Sequence, residues 1–247
     1  LREVARAFIG PEETPRLLLV SLLARGHVLL EGVPGVAKTT LAKAFAATLR
    51  CSFKRVQFTP DLLPADITGT YVLSPGTGSF SLREGPIFAN VVLGDEINRA
   101  PAKTQSALLE AMQEFQTTID GETRALPRPF MVLATQNPVE QAGTYPLPEA
   151  QIDRFLMRLL IGYPTPAEEY ALLERFSGSA PELRAVLTPA EILGLQDMVA
   201  AVHAEHEVID PLLESCRTGF QAMAYAPDGA APDRLGDPVT ATRHCLG

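Results

Sequence analysis

The sequence predicts an α/β fold, in which a parallel sheet flanked by helices precedes a smaller all-helical domain. Short apolar runs of strand length recur over the first 163 residues and alternate with helical patterns. A glycine-containing loop joins the first of these runs to a helix. Beyond the Tyr-Pro-Thr-Pro segment at 163–166 the apolar spacing becomes helical. We therefore place the α/β domain at residues 1–163 and the helical domain at residues 164–247.

Apolar spacing and turn residues place the elements in order along the chain. The first helical stretch is expected to end at Gly26, as a C-cap glycine does. In the helical domain, Thr165 and Thr188 are each followed by proline and then glutamate, which is the pattern of a capped helix start. The predicted strands are 27–30, 53–59, 87–93, 130–134 and 156–161, the hairpins are 71–82 and 115–126, and helices occupy 1–26 and 38–49 and begin again at Pro101.

The composition excludes several classes of protein. Hydrophobic residues make up 46% of the 247 residues, which is enough for a core. A net charge of −8 disfavours a broad nucleic-acid-binding surface, because such surfaces need a basic field. The three cysteines have no metal-ligand spacing and are typical of a reducing cytoplasm. No apolar run approaches the ~20 residues that span a bilayer, so we expect a cytoplasmic protein without membrane insertion.

A predicted strand, a tight loop and a helix start form a candidate phosphate-binding loop. The pattern is G-x-x-x-x-G-K-[ST], and backbone N–H groups at the helix N-terminus would face the anion. Lys38 would reach the β- and γ-phosphates, and the Thr39 hydroxyl would bind Mg²⁺. Ala37 replaces the second glycine, which is tolerable if its φ is negative. The predicted nucleotide-binding residues are Gly32, Val33, Pro34, Gly35, Val36, Ala37, Lys38, Thr39 and Thr40.

Two carboxylates follow another apolar strand. Asp95 and Glu96 come directly after it, at the edge of a parallel sheet where ligands bind. Asp95 would hold Mg²⁺, usually through water, and Glu96 would orient and deprotonate the attacking water. Strands that end in solvated acids are common, but the preceding phosphate loop favours the functional interpretation.

Two further polar residues allow two interpretations each. Asn137 ends a buried strand and is placed to contact the γ-phosphate or the attacking water, although asparagine before proline is also a frequent turn starter. Arg154 is placed either as an arginine finger inserted into a neighbouring site or in a surface salt bridge with Asp153 or Glu149. The residues alone leave both choices open.

The order of these motifs resembles the MoxR family of AAA+ ATPases. The likeness covers residues 1 to about 210, and the family usually has alanine at the position of Ala37. It rests on G-V-P-G-V-A-K-T at 32–39, Q-F-T-P-D-L-L-P-A-D-I-T-G at 57–69, G-D-E-I-N-R-A-P-A-K-T-Q at 94–105, A-T-Q-N-P at 134–138 and D-R-F at 153–155.

The resemblance implies an AAA+ core with a five-stranded parallel sheet and a helical lid. It also implies a homo-oligomeric ring, typically a hexamer, with ATP and Mg²⁺ bound between its subunits. It implies inserted hairpins at about 69–88 and 116–128. Asn137 matches sensor 1, and Arg154 matches the finger that acts in trans. Family members are chaperone-like: they mature or activate partner proteins or load metal cofactors, and the partners often carry von Willebrand factor A domains.

The helical domain departs from the family pattern. The family has a Gly-Ala-Ser-Pro-Arg stretch whose arginine is sensor 2, whereas residues 229–234 are Gly-Ala-Ala-Pro-Asp-Arg. Arg234 is the candidate for this nucleotide contact. Because the chain stops soon afterwards, we expect a lid whose C-terminal end is atypical or incomplete.

The sequence therefore supports an Mg²⁺-dependent ATPase that acts on a partner protein. Lys38→Ala is expected to abolish nucleotide binding, and Arg154→Ala is expected to spare binding but stop turnover. One alternative is an ATP-binding scaffold that does not hydrolyse ATP, which the irregular C-terminal stretch suggests. The other is a nucleic-acid motor with Arg124 and Arg128 in a pore, which the acidic balance disfavours.

Overall fold

The computed structural model describes residues 1–32, 37–73, 78–137, 143–176 and 181–202. Short strands and helices alternate through the first 160 residues, and helices follow. In these ranges the strands are β1 (Val28–Glu31), β2 (Phe53–Gln57), β3 (Gly69–Leu73), β4 (Phe80–Glu84), β5 (Val91–Asp95), β6 (Gln116–Ile119), β7 (Glu122–Ala125), β8 (Met131–Gln136) and β9 (Met157–Leu160). The α-helices are α1 (Arg2–Ala5), α2 (Glu13–Leu23), α3 (Lys38–Thr48), α4 (Pro64–Thr68), α5 (Ala102–Glu114), α6 (Glu149–Ile152), α7 (Pro166–Phe176) and α8 (Pro189–Ala200), and a 3₁₀ turn spans Ile97–Arg99.

The centre of the fold is a five-stranded sheet in the order β2-β5-β8-β1-β9. All four pairings are parallel, so the predicted fold class is confirmed. The register places Glu31 beside Gln136 and Gln57 beside Asp95. The carboxyl ends of β1, β2, β5 and β8 therefore meet at one edge of the sheet, which is where α/β proteins bind ligands.

Helices cover the sheet on both faces, which is why its inner strands are buried along nearly their whole length and are apolar except at their carboxyl ends. Successive residues of a strand point to opposite faces. Val28 and Leu30 pack with α2 and α3 on one face, whereas Leu29 packs with α5 on the other. No helix in the described ranges is long and apolar enough to cross a lipid bilayer.

Two details of the predicted elements are wrong. β5 begins at Val91 rather than at residue 87; Ile87 and Ala89 are fully buried, but in a turn. An apolar run reports burial and does not by itself mark the first residue of a strand. Arg25 rather than Gly26 takes the left-handed position after α2, with φ +58. A side chain at Gly26 would meet Leu156, since an added Cβ would lie 2.5 Å from that residue.

The two predicted helix starts beyond residue 163 are confirmed. The Thr188 hydroxyl accepts a hydrogen bond from the Glu191 N–H at 3.3 Å, and Glu191 accepts one from the Thr188 N–H at 2.8 Å. Thr165 and Glu168 form the same box at the start of α7. α8 packs on α2, where the Gln196 side chain donates to the Leu22 carbonyl at 2.6 Å. The division into domains at residue 163 stays a prediction.

The predicted hairpins form as β3–β4 and β6–β7. One polar cluster joins them. The Tyr71 hydroxyl donates to Glu122 at 2.5 Å, and Arg124 donates to Tyr71 at 3.0 Å and to Glu122 at 2.6 Å. The Ser-Pro-Gly-Thr part of the first predicted turn, at 74–77, lies outside the described residues.

His27 lies buried at the start of β1 and is held in its neutral form. Its Nδ1 accepts from the Val132 N–H at 3.0 Å, so Nε2 carries the proton and donates to the Met112 carbonyl at 2.9 Å. The rings of Phe115 and Phe130 lie within 6 Å of the imidazole centroid, at 5.9 and 5.8 Å. Desolvation by burial lowers the pKa of His27 to about 4, against the opposing effect of the Met112 carbonyl.

This burial predicts a specific loss of stability in acid. Below about pH 6.5 the unfolded chain protonates His27, whereas the folded chain does not until about pH 4. The neutral His27 therefore makes its full contribution to the free energy of unfolding above pH 6.5. As the pH falls towards 4, this contribution is lost, and the free energy of unfolding falls by about 3 kcal/mol. Urea unfolding at several pH values should show a shallower pH dependence for His27→Gln than for the wild type. Identical slopes would contradict this assignment.

Candidate nucleotide-binding site

The candidate site lies at the carboxyl edge of the sheet, beside the first turn of α3. Gly32 directly follows β1, and its N–H donates to the Gln136 carbonyl at 3.4 Å. Lys38 and Thr39 open α3 and are half-buried, whereas Thr40 on the same turn is exposed. The other predicted loop residues, Val33, Pro34, Gly35 and Val36, lie outside the described residues.

The Lys38 ammonium is directed towards the carboxyl ends of β1 and β8. Its Nζ donates to the Gly32 carbonyl at 2.5 Å and to the Gln136 carbonyl at 3.4 Å. Burial lowers the pKa of Lys38, while the charges of Asp95, Glu96 and Glu31 act in the opposite direction. A partly desolvated cation that donates to carbonyl groups can exchange them for the oxygens of an anion.

Ala37 does not have the expected negative φ. It lies in the left-handed region, with φ +57 and ψ +21, at the N-cap of α3. This conformation explains the glycine of the general pattern, because a Cβ in the left-handed region costs roughly 1–2 kcal/mol. Alanine is tolerated at this position because its side chain, a single methyl group, is the smallest after that of glycine.

Asp95 is the most heavily bonded carboxylate of the site, although only 7% of the residue is exposed. Its Oδ1 accepts from the Thr135 hydroxyl at 2.5 Å. Its Oδ2 accepts from the Thr39 hydroxyl at 3.3 Å and from Arg55, through Nε at 3.0 Å and Nη2 at 2.6 Å. The sheet thus brings the two predicted metal ligands, Asp95 and Thr39, together.

Glu96 is held in an unusual backbone conformation beside Asp95. Its φ is +56 and its ψ is +49, and its N–H donates to the Thr135 hydroxyl at 2.8 Å. The side-chain Oε2 accepts from the Gln57 amide at 2.7 Å and lies 3.4 Å from the Arg99 Nε. Left-handed residues other than glycine persist where the surrounding contacts determine them, and such residues cluster at functional sites.

The buried Glu31 carboxylate at the end of β1 is paired with a cation. Glu31 is 2% exposed and forms an ion pair with Arg158 of β9 at 2.6 Å. Gln136 of β8 donates a hydrogen bond to the same carboxylate. These contacts join the end of β1 to its two neighbouring strands, β8 and β9.

Asn137 follows β8 and is 8% exposed. Its backbone carbonyl accepts from the Asn98 amide at 3.4 Å, which links the end of β8 to the 3₁₀ turn after Glu96. The Asn98 Oδ1 is buried and has no hydrogen-bond partner among the described residues. The structure therefore brings Asn137 into the same edge of the sheet as Asp95 and Glu96.

Arg154 lies apart from this cluster. It is exposed after α6, and its backbone N–H donates to the Gln151 carbonyl at 3.4 Å. The choice between an arginine finger and a local salt bridge with Asp153 or Glu149 stays a prediction. Arg234 lies outside the described residues.

The residues present fit Mg²⁺ by their chemistry. A hydroxyl and a carboxylate converge, with Thr39 Oγ1 and Asp95 Oδ2 3.3 Å apart. Mg²⁺ prefers oxygen ligands and is usually bound through one or two carboxylates together with substrate phosphates. In the described part of the chain no group of three His, Cys, Asp or Glu side chains forms a closed metal site.

Sequence reasoning missed three residues of the site. Arg55 and Gln57 lie on one face of β2 and contact Asp95, the last residue of β5, and Glu96 directly after it, while Thr135 of β8 bonds both carboxylate residues. The alternation of polar residues at 55 and 57 was the available signal. It indicated a shared face of a strand but not which neighbouring strand that face would meet.

The fold and the site together define a nucleotide-binding protein of the AAA class of ATPases. Residues 27–157 match the model of the ATPase family associated with various cellular activities. The chain belongs to the MoxR family of AAA+ ATPases. The resemblance that the motifs carried is therefore confirmed.

Three comparisons support this assignment. The chain is 49% identical over 208 residues to Chaperone MoxR1 of Mycobacterium tuberculosis, which covers 84% of this chain and 55% of that protein. It is 49% identical over 216 residues to Bacillus subtilis YeaC, covering 87% and 68% of the two chains. A crystal structure of a candidate ATPase from Cytophaga hutchinsonii superposes with a TM-score of 0.80 at 41% identity, covering 90% of this chain and 70% of that one. This chain thus spans about half of MoxR1.

Proposed function

We propose that this protein hydrolyses ATP with Mg²⁺ in a homo-oligomeric ring, and that it uses the cycle to remodel, mature or activate a partner protein. The convergence of Thr39 and Asp95 beside Lys38 and Glu96 carries the proposal. At one edge of the sheet, this arrangement places a cation that can bind phosphate close to two oxygen ligands for Mg²⁺ and to a carboxylate that can act as a base.

Each residue has a distinct part in the proposed reaction. Lys38 donates to the β- and γ-phosphates, and Glu96 accepts a proton from the water that attacks the γ-phosphorus. Thr39 and Asp95 would hold Mg²⁺, which would supply positive charge next to the phosphates. Asn137 contacts the γ-phosphate or the attacking water. Much of the acceleration comes from this positioning and from electrostatic stabilisation.

Arg154 completes the site of a neighbouring subunit in this proposal. Its exposure supports a role in trans, where it would neutralise charge on the transferred phosphoryl group. The ring, proposed as a hexamer by analogy with the family, follows from the same argument. The proposal also includes an α/β core at 1–163, a lid at 164–247, a contact of Arg234 with the nucleotide and a cytoplasmic location.

The partner is proposed to be a protein client. One relative is named a chaperone, Chaperone MoxR1, which supports a chaperone-like use of ATP. The family resemblance favours maturation or activation of the client, including insertion of a metal cofactor, and a client with a von Willebrand factor A domain. The pore of a nucleic-acid motor is disfavoured, since Arg124 is engaged by Glu122 and Tyr71, and Arg128 lies over the Phe115 ring.

The proposal is tested by measuring ATP turnover per subunit over a range of protein concentrations. Turnover should rise cooperatively with concentration, because each site needs a neighbour. Arg154→Ala should retain ATP binding but lose about 10³-fold in turnover, the usual effect of losing an arginine finger. Glu96→Gln should bind ATP without turnover and serves as the control for contaminating ATPases.

Three outcomes would contradict parts of the proposal. Substantial turnover in an Arg154→Ala ring would exclude that arginine as the finger. Turnover per subunit that stays constant on dilution would exclude a shared site. ATP binding without turnover in the wild type would favour the scaffold alternative.

A further inference from the structure

Arg55 makes the strongest charged contact of Asp95, and the proposed reaction does not use it. It lies on β2, two residues before the end of that strand, and reaches across to β5. Its Nε and Nη2 lie 3.0 and 2.6 Å from the same atom, Asp95 Oδ2. Hydrogen bonds between two charged groups are among the stronger polar contacts of a protein.

The oxygen that Arg55 covers is the one directed towards Thr39. Asp95 Oδ1 is engaged by the fully buried Thr135, whereas Oδ2 lies 3.3 Å from the Thr39 hydroxyl. A guanidinium on Oδ2 and a divalent cation beside it would repel each other strongly at the edge of a buried sheet. Arg55 and a metal ion therefore compete for the same face of Asp95.

Arg55 also determines the orientation of the Gln57 amide. Its Nη2 donates to Gln57 Oε1 at 2.5 Å, so the amide nitrogen of Gln57 faces the other way and donates to Glu96 at 2.7 Å. The Arg55 guanidinium thus contacts the amide oxygen of Gln57, which is an acceptor, and the Glu96 carboxylate contacts the amide nitrogen, which is a donor. One arginine thus connects the carboxylate for the metal with the carboxylate for the attacking water.

We propose that Arg55 is the resident counter-cation of Asp95 in the nucleotide-free protein, and that it leaves Asp95 Oδ2 when Mg²⁺ and nucleotide bind. Its departure removes the charge that orients Gln57, which loosens the hold of Gln57 on Glu96. Arg55 is a positioning residue in this scheme. The inference rests on the proposed function, since it concerns the same site.

The surroundings of Arg55 allow this movement. Its side chain is 44% exposed, whereas that of Asp95 is 10% exposed, so the guanidinium can turn into water while the carboxylate stays in place. Until then the ion pair balances the charge of the buried Asp95 carboxylate. Metal and arginine alternate at one oxygen, and each neutralises the same charge.

The test measures how much Mg²⁺ strengthens nucleotide binding. The Kd of a fluorescent, non-hydrolysable ATP analogue is measured by anisotropy in excess Mg²⁺ and in EDTA, and the ratio of the two values is the gain from Mg²⁺. Formation of the Mg²⁺–nucleotide complex in solution is common to all variants, so a change in the ratio reports the protein. Arg55→Met should raise this gain roughly three- to tenfold over the wild type, because the competing ion pair is absent.

Lys54→Met is the matched control, since it removes one positive charge from the opposite, exposed side of β2 and should leave the gain unchanged. Arg55→Gln is the second variant if Arg55→Met does not fold, as judged by circular dichroism, and it should raise the gain in the same direction. A gain that is unchanged or smaller in the Arg55 variants would overturn the inference. A wild type that binds no nucleotide would instead contradict the proposed function.

Discussion

Lys38→Met should weaken ATP binding by on the order of 100-fold, because a charge-assisted contact with phosphate is worth up to about 3 kcal/mol. Among the described residues this ammonium donates to the carbonyls of Gly32 and Gln136. Methionine keeps most of the length of the side chain but cannot donate. Isothermal titration with ATP and Mg²⁺ measures the loss directly.

Lys43→Met is the control for this experiment. Lys43 is exposed on the same helix, α3, so the substitution removes the same charge from the same element without touching the loop. Its affinity for ATP should match that of the wild type. Equal affinities for all three proteins would contradict the assignment of residues 32–40 as the phosphate-binding loop.

Thr135→Val should lower kcat roughly 10- to 100-fold and change the affinity for ATP less than about threefold. The Thr135 hydroxyl donates to Asp95 Oδ1 at 2.5 Å and accepts from the Glu96 N–H at 2.8 Å. Valine has nearly the same shape but leaves both groups unpaired, so the left-handed conformation of Glu96 loses its support. Lys38 and the loop stay intact, and binding should therefore survive. Steady-state turnover and equilibrium titration separate the two effects.

Thr135→Ser should restore most of the turnover, since serine supplies the same hydroxyl without the methyl group. Thr135→Val should also lower the free energy of unfolding by roughly 1–3 kcal/mol, the usual cost of unpaired buried polar groups. Thermal denaturation of both variants shows whether stability alone explains the loss. Wild-type turnover in Thr135→Val, or no recovery in Thr135→Ser, would contradict a positioning role.

The sheet and the loop were predictable because each depends on local pattern. An apolar run of four to seven residues with a turn on either side has few stable alternatives to a buried strand in a chain of this composition. A glycine-containing loop between a strand and a helix likewise points to a phosphate site through its backbone. The capping residues Thr165 and Thr188 were found for the same reason, since their partners lie three residues away.

Local backbone conformation was less predictable. Ala37 and Arg25 adopt positive φ where alanine and arginine rarely do. The glycine of the general pattern marked position 37, but nothing in the sequence marked Arg25, which takes the left-handed position beside Gly26, where Leu156 closes over the backbone. Propensity predicts the commonest conformation of a residue and cannot anticipate strain that the surrounding fold imposes.

The amino-acid sequence by itself determined the α/β class and the place of Asp95 and Glu96 at the end of a buried strand, because these features lie within single stretches of chain, whereas the phosphate-binding role of the loop stays a prediction. Only the tertiary structure showed that Arg55 covers Asp95 and that Thr135 bonds both carboxylate residues. These partners are 39 or 40 residues apart in sequence. Their meeting depends on strand order and register, which are decided by the packing of whole strands and helices rather than by any local pattern.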